Sequence, residues 1–121
     1  TRTWQDILMQ GEFHLYGIRN YAARKNIERI GKGDKGLYYN AQDGKKVFGI
    51  MEAISEPFQD STDSSGKWLS VKFKPTETFE KPIEYKLLKD HPEINTNKII
   101  TMPRLTVVEI SKEQFESIIN L

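Results

Sequence analysis

Residues 67–74 (KWLSVKFK) alternate strictly: Leu69, Val71 and Phe73 fall on one side, Trp68, Ser70, Lys72 and Lys74 on the other. That period of two predicts a strand with one buried face, ended by Pro75, which cannot donate to a ladder. From Lys46 to Ser55 the apolar residues fall on both sides, Val47, Met51 and Ala53 against Phe48, Ile50 and Ile54. A strand covered on both faces belongs in the middle of a sheet or in a barrel wall. Gly49 inside it predicts a bulge or a close approach of another part of the chain. Lys35 to Ala41 reads as a short aromatic strand, joined to the previous one through a two-residue hairpin at Asp43-Gly44. Arg104 to Ile110 is expected as the last strand.

Helical spacing accounts for most of the remainder. Thr3 is placed to cap a helix from Trp4 to Gln10, with Trp4, Ile7 and Leu8 turned to the core and Gly11 closing it. A turn at Gly17 then leads to Asn20, whose side-chain oxygen suits an N-cap. Ala23, Ile27 and Ile30 follow at helical intervals, with Gly31 where C-caps favour glycine. Pro82 precedes a predicted helix from Ile83 to Lys89, closed by Asp90-His91-Pro92. Ile94 to Met102 shows no clear period. Ser111 and Gln114 form a capping box for a terminal helix that buries Phe115, Ile118 and Ile119. Gly31 to Asp34 and Gln59 to Gly66 are polar loops. The fold class expected is α+β, a twisted, partly open β-barrel flanked by helices, in one domain of 121 residues.

Composition narrows the chemistry. With 37% hydrophobic and 29% charged residues the chain is an ordinary globular one. It has no cysteine, which excludes disulfides, thiolate nucleophiles and cysteine-held metals. No apolar run approaches the roughly 20 residues of a membrane span, and the first residues do not resemble a signal peptide. A cytoplasmic location is the expectation. His14 and His91 lie at no metal-ligand spacing, and His91 sits in a helix-ending segment. Gly31-Lys32-Gly33 lacks the ending of a phosphate-cradling loop, no serine sits in a nucleophile elbow, and no carboxylates pair as acid and base. Neither metal, cofactor nor catalysis is predicted.

The net charge is only +1, yet residues 19–35 hold six basic residues against two acidic ones. The start of the Asn20 helix therefore combines free backbone amides, a positive dipole end, and Arg19 and Arg24, a setting for an anion or a polar base. The competing reading is that these arginines form surface ion pairs. Tyr21, Tyr38, Tyr39 and Trp68 are rings that can stack a base when interleaved with arginine.

The order of motifs resembles the EVE family of the PUA-like group. The matching residues are Trp4 within Thr3-Trp4-Gln5-Asp6-Ile7, then Gly17-Ile18-Arg19-Asn20-Tyr21 with Ala23-Arg24. Lys32-Gly33-Asp34 before Tyr38-Tyr39, Val47-Phe48-Gly49-Ile50 with Glu52, Trp68-Leu69-Ser70-Val71 with Lys74-Pro75, and Arg104-Leu105-Thr106-Val107 complete it. The resemblance implies a PUA-like barrel that reads a modified base, methylated or hydroxymethylated cytosine, turned out of a nucleic-acid strand, with DNA favoured over RNA. On that view Arg19, Asn20 and Tyr21 line the pocket mouth, while Arg24, Tyr39 and Arg104 support it or touch phosphate. A monomer is expected. Two alternatives are an RNA-binding module and a small amidohydrolase of the related ASCH type acting on acylated cytidine; a third is a purely structural or protein-binding role. The chain also departs from the family. Members usually begin with an apolar strand ending in Lys-Ser-Glu-Pro, whereas this sequence begins at the Trp motif, so a shortened chain with an open barrel edge is expected. Leu15-Tyr16, Asn40-Ala41 and Thr101 stand where Trp-Asp, His-Ser and arginine are usual, which implies an altered ligand preference.

Overall fold

A computed structural model describes residues 3–40, 46–102 and 107–121. Its organising element is a strand of 16 residues, β5 (Leu69–Glu84). The other strands are β1 (Phe13–Leu15), β2 (Lys35–Asn40), β3 (Lys46–Ala53) and β4 (Phe58–Gln59). They form one antiparallel arrangement in the order β1-β5-β3-β2, with β4 also paired to β5. Among the described residues the sheet does not close, so the fold is α+β around a partly open barrel, as the pattern predicts.

Pro75 does not end β5, and Pro82 does not begin a helix. The β3–β5 register breaks between Ile50 and Met51, beside Pro75, and again between Val47 and Gly49. In that second break the partners jump from Thr78 to Ile83, so Pro82 falls in the slack of a bulge. Each proline thus sits at or inside a register irregularity, where a residue without an N–H is tolerated. Ile83 and Glu84 remain in the strand, opposite Val47 and Lys46, and the next helix, α3, is Tyr85–Asp90 rather than Ile83 to Lys89.

The first helix, α1 (Trp4–Gln10), has the expected Thr3 capping box with Asp6 and ends at Gly11. Trp4 and Ile7 are buried, but Leu8 is 39% exposed, because only one narrow stripe of so short a helix meets the sheet. The helix α2 (Tyr21–Glu28) is capped by Asn20 but stops at Arg29 and not at Gly31. Ile30 then donates to the Ile27 carbonyl, tightening the last turn. The unpatterned stretch contains a four-residue helix, α4 (Lys98–Thr101), capped by Asn97. The terminal helix, α5 (Lys112–Ile119), carries the expected box of Ser111 and Gln114 and buries Ile118, with Phe115 and Ile119 half-buried.

Residues 107–110 are not strand, which corrects the final strand expected over Arg104 to Ile110. Their backbone is satisfied by side chains instead: Asn26 Nδ2 donates to the Val107 carbonyl at 2.7 Å and Asn97 Nδ2 to that of Glu109 at 3.3 Å. Arg104, Ala41 and the hairpin pair Asp43-Gly44 lie outside the described residues.

Two apolar clusters hold the sheet. One gathers Trp4, Ile7, Ile27, Met51, Ala53, Val71 and Phe73; the other gathers Val47, Ile83, Leu88, Ile94 and Ile118. β3 contributes to both, Met51 and Ala53 to the first and Val47 to the second, with Phe48 also packed against the first. Burial on this scale is the dominant favourable term in such a fold. Among the described residues no helix is long and apolar enough to cross a membrane.

Candidate functional site

β1 brings the chain to Gly17, whose φ of 76° is open to glycine and strained for any other residue. The turn there sends Ile18 into the first cluster and places Arg19 and Asn20 at the start of α2. Asn20 Oδ1 accepts from the Ala23 amide at 3.0 Å, so its oxygen is committed to the cap.

Arg19 is held from several sides. Its Nη1 donates to Asp60 Oδ2 at 3.1 Å and to the Ile18 carbonyl at 3.3 Å, and its Nη2 to Thr62 Oγ1 at 2.9 Å. Its Cζ lies 5.8 Å from the centroid of the Trp68 ring, within cation–π range. Tyr21, 64% exposed, lies against the same indole with ring centroids 4.9 Å apart. Arg24 donates through Nε to the Lys67 carbonyl and through Nη1 to Glu28 at 3.0 Å. The result is a surface of two contacting rings with Arg19 over one of them and Arg24 bonded to the backbone just before Trp68.

The loop that carries Trp68 is fixed by two aspartates. Asp60 is fully buried and accepts from the amides of Gly17 (2.7 Å) and Thr62 (2.8 Å), the Thr62 hydroxyl (2.6 Å) and Arg19. Burial by itself raises a carboxyl pKa, but the donors from Thr62, Gly17 and Arg19 together outweigh it and hold Asp60 well below the usual carboxylate range. Asp63 accepts from the Ser65 hydroxyl (2.7 Å) and from the amides of Ser65 (2.9 Å), Lys67 (3.0 Å) and Trp68 (3.0 Å). The Ser65 hydroxyl is the main cause of a pKa lowered to about 2, with those amides adding to it against partial desolvation.

These shifts set an acid limit. A carboxylate with a depressed folded pKa stabilises the fold above its unfolded value, about 3.9, and stops doing so as pH falls through the folded value. Thermal unfolding is expected to be level down to about pH 4 and to decline from there towards about pH 2, the folded value for Asp63. Asp63→Asn should flatten part of that decline. An identical pH profile in the variant contradicts the assignment.

Of the six residues singled out in the sequence, Arg19, Asn20, Tyr21 and Arg24 come together at this helix start. Tyr39 does not join them. It packs half-buried against the second cluster with its ring 6.0 Å from Tyr85, and burial, then Tyr85, push its hydroxyl pKa up. It lines a cavity of about 1070 Å³ that also meets Ile18, Tyr38, Phe73, Val107 and Ile110. Arg104 falls outside the described residues. Sequence reasoning passed over Asp60, Thr62 and Asp63 by reading 59–66 only as a polar loop. Its trace was legible: Asp60 with Thr62, and Asp63 with Ser65, have the two-residue offset of side chains that close turns on their own backbone.

The sequence matches the EVE domain family over residues 1–121. The chain belongs to that family. Solved structures agree with this EVE domain in fold. A protein of Rhodopseudomonas palustris, determined by NMR, is 27% identical, with a TM-score of 0.90 over 97% of this chain and 82% of its own. An Agrobacterium tumefaciens protein, determined by X-ray crystallography, is 29% identical, with a TM-score of 0.90 over 98% of this chain and 83% of its own. The human THYN1 protein, solved in complex with 5-methylcytosine-containing DNA, is 18% identical, with a TM-score of 0.91 over 98% of this chain and 84% of its own. No protein of curated function matches the sequence.

Proposed function

We propose that this EVE domain is a non-catalytic nucleic-acid-binding module that reads a modified base, methylated or hydroxymethylated cytosine in DNA. The observation that carries the reading is the exposed Tyr21 ring lying on Trp68 beside the Arg19 guanidinium. Exposed aromatic faces next to arginine are what an unstacked base needs, since every base offers a π-face and an edge to hydrogen-bond. The human relative bound to 5-methylcytosine-containing DNA supports the same reading.

In this mechanism the extruded base stacks at the helix start and no covalent bond changes. Arg19 and the amide group of Asn20 meet its edge, and Tyr21 supplies a ring face. Arg24, with Arg104, holds flanking phosphate. Tyr39, which lines the cavity away from the helix start, has no contact with the base in this mechanism. The test is a fluorescence-anisotropy titration with matched short DNAs carrying plain, methylated or hydroxymethylated cytosine, and an RNA of the same sequence. Tighter binding of one modified DNA is expected, weakening as salt is added, because contacts to phosphate release counterions. Equal affinity for every strand contradicts base reading, and saturation by RNA alone replaces it with the RNA-binding alternative.

A further inference from the structure

We infer that Asp60 is a positioning residue that turns Arg19 from a phosphate clamp into an orienting element for the base. The inference rests on the nucleic-acid reading above. A surface arginine beside a helix N-terminus would ordinarily act through its charge, by attracting phosphate. Here that charge faces a carboxylate with no solvent exposure at 3.1 Å, so the pair presents little net charge to a strand.

What remains is geometry. Asp60 Oδ2 and Thr62 Oγ1 take different nitrogens of the guanidinium, and Ile18 takes a further N–H, which fixes the plane and not merely the position of the group. Arginine has five N–H donors. The Nε–H and one Nη2–H of Arg19 therefore have no acceptor among the described residues, and the group is held over the Trp68 ring, 5.8 Å from its centroid. A fixed fork with open donors next to a stacking ring suits recognition of a planar, acceptor-bearing edge.

The same carboxylate also binds the Gly17 amide, and the Asp60 backbone N–H donates to the Trp68 carbonyl at 2.9 Å. One buried residue thus registers the Gly17 turn, Arg19 and the ring-bearing loop against each other. A role in chain folding alone explains the bonds to Gly17 and Thr62, but not the placement of Arg19 over the indole by two separate acceptors.

The test compares Asp60→Asn with the parent chain on plain and 5-methylcytosine DNA across a salt series. Freed of its counterion, Arg19 should bind plain DNA several-fold more tightly, with the slope of log K against log salt steeper by about one. Preference for the modified strand should fall by about tenfold. A merely structural role lowers both affinities together, with unchanged slope, and that result overturns the inference. So does no change in either. Should Asp60→Asn not fold, Thr62→Val keeps the ion pair and removes the second anchor. It should reduce the preference at constant salt slope, and an undiminished preference overturns the inference. A parent chain that shows no preference for the modified DNA overturns the functional reading instead.

Discussion

Replacing Gly49 with alanine is expected to cost about 3 kcal/mol or more of folding stability, the upper end of overpacking effects. A Cβ built on Gly49 meets the Glu77 carbonyl and the six-membered ring of Trp4 well inside contact distance. Neither neighbour has room to retreat. Glu77 is paired with Ile50 in the β3–β5 ladder, and Trp4 is 4% exposed with its Nε1 tied to Thr78 Oγ1 at 2.9 Å. Filling a strand glycine usually stabilises, because glycine loses more backbone entropy on folding. Here the sign reverses, since α1 packs on the sheet only where that side chain is missing. Urea unfolding of the variant gives the number directly. A loss under about 1 kcal/mol means that the sheet and α1 can separate, and contradicts the packing described.

Tyr21→Ala should weaken binding of modified-base DNA by about 1–3 kcal/mol, the worth of one base stacked on one aromatic ring. The midpoint of thermal unfolding should barely move, because the ring is mostly in solvent and its described ring contact is with Trp68. Arg19→Ala behaves differently. From sequence the two residues look equivalent, neighbours at a helix start. In the structure Arg19 is the counterion of a buried carboxylate, so its removal leaves Asp60 charged with only the Gly17 and Thr62 donors and lowers stability as well as affinity. Equal thermal midpoints for the two variants would contradict the Asp60 pairing. Unfolding of the Tyr21 variant would mean that the ring belongs to the core and not to a binding surface.

This contrast shows what a one-dimensional pattern carries. Caps and buried stripes are local, and Thr3, Asn20 and Ser111 each cap the helix that their spacing indicates. The alternation that predicts β5 is local too. The passage of β5 through Pro75 and Pro82 is not, because it depends on register breaks set by the partner strand β3. The three residues of β1 and the two of β4 are too short to show a period, and both exist only because β5 offers an edge on which to pair. The site divides in the same way. Arg19, Asn20, Tyr21 and Arg24 are within one turn of a single helix start and were legible together. Asp60 lies 41 positions from Arg19, and only folding brings the two into contact.

The most direct measurement follows tryptophan emission while 5-methylcytosine DNA is added. The chain has two tryptophans, Trp4 buried in the core and Trp68 at the proposed surface, so a ligand-dependent change reports on Trp68. The expected result is a saturable quench that tracks the anisotropy signal and is lost in Trp68→Phe, because the base stacks beside that indole. Binding that saturates by anisotropy while emission stays constant would contradict the account, for the DNA would then lie away from the Arg19–Trp68–Tyr21 surface.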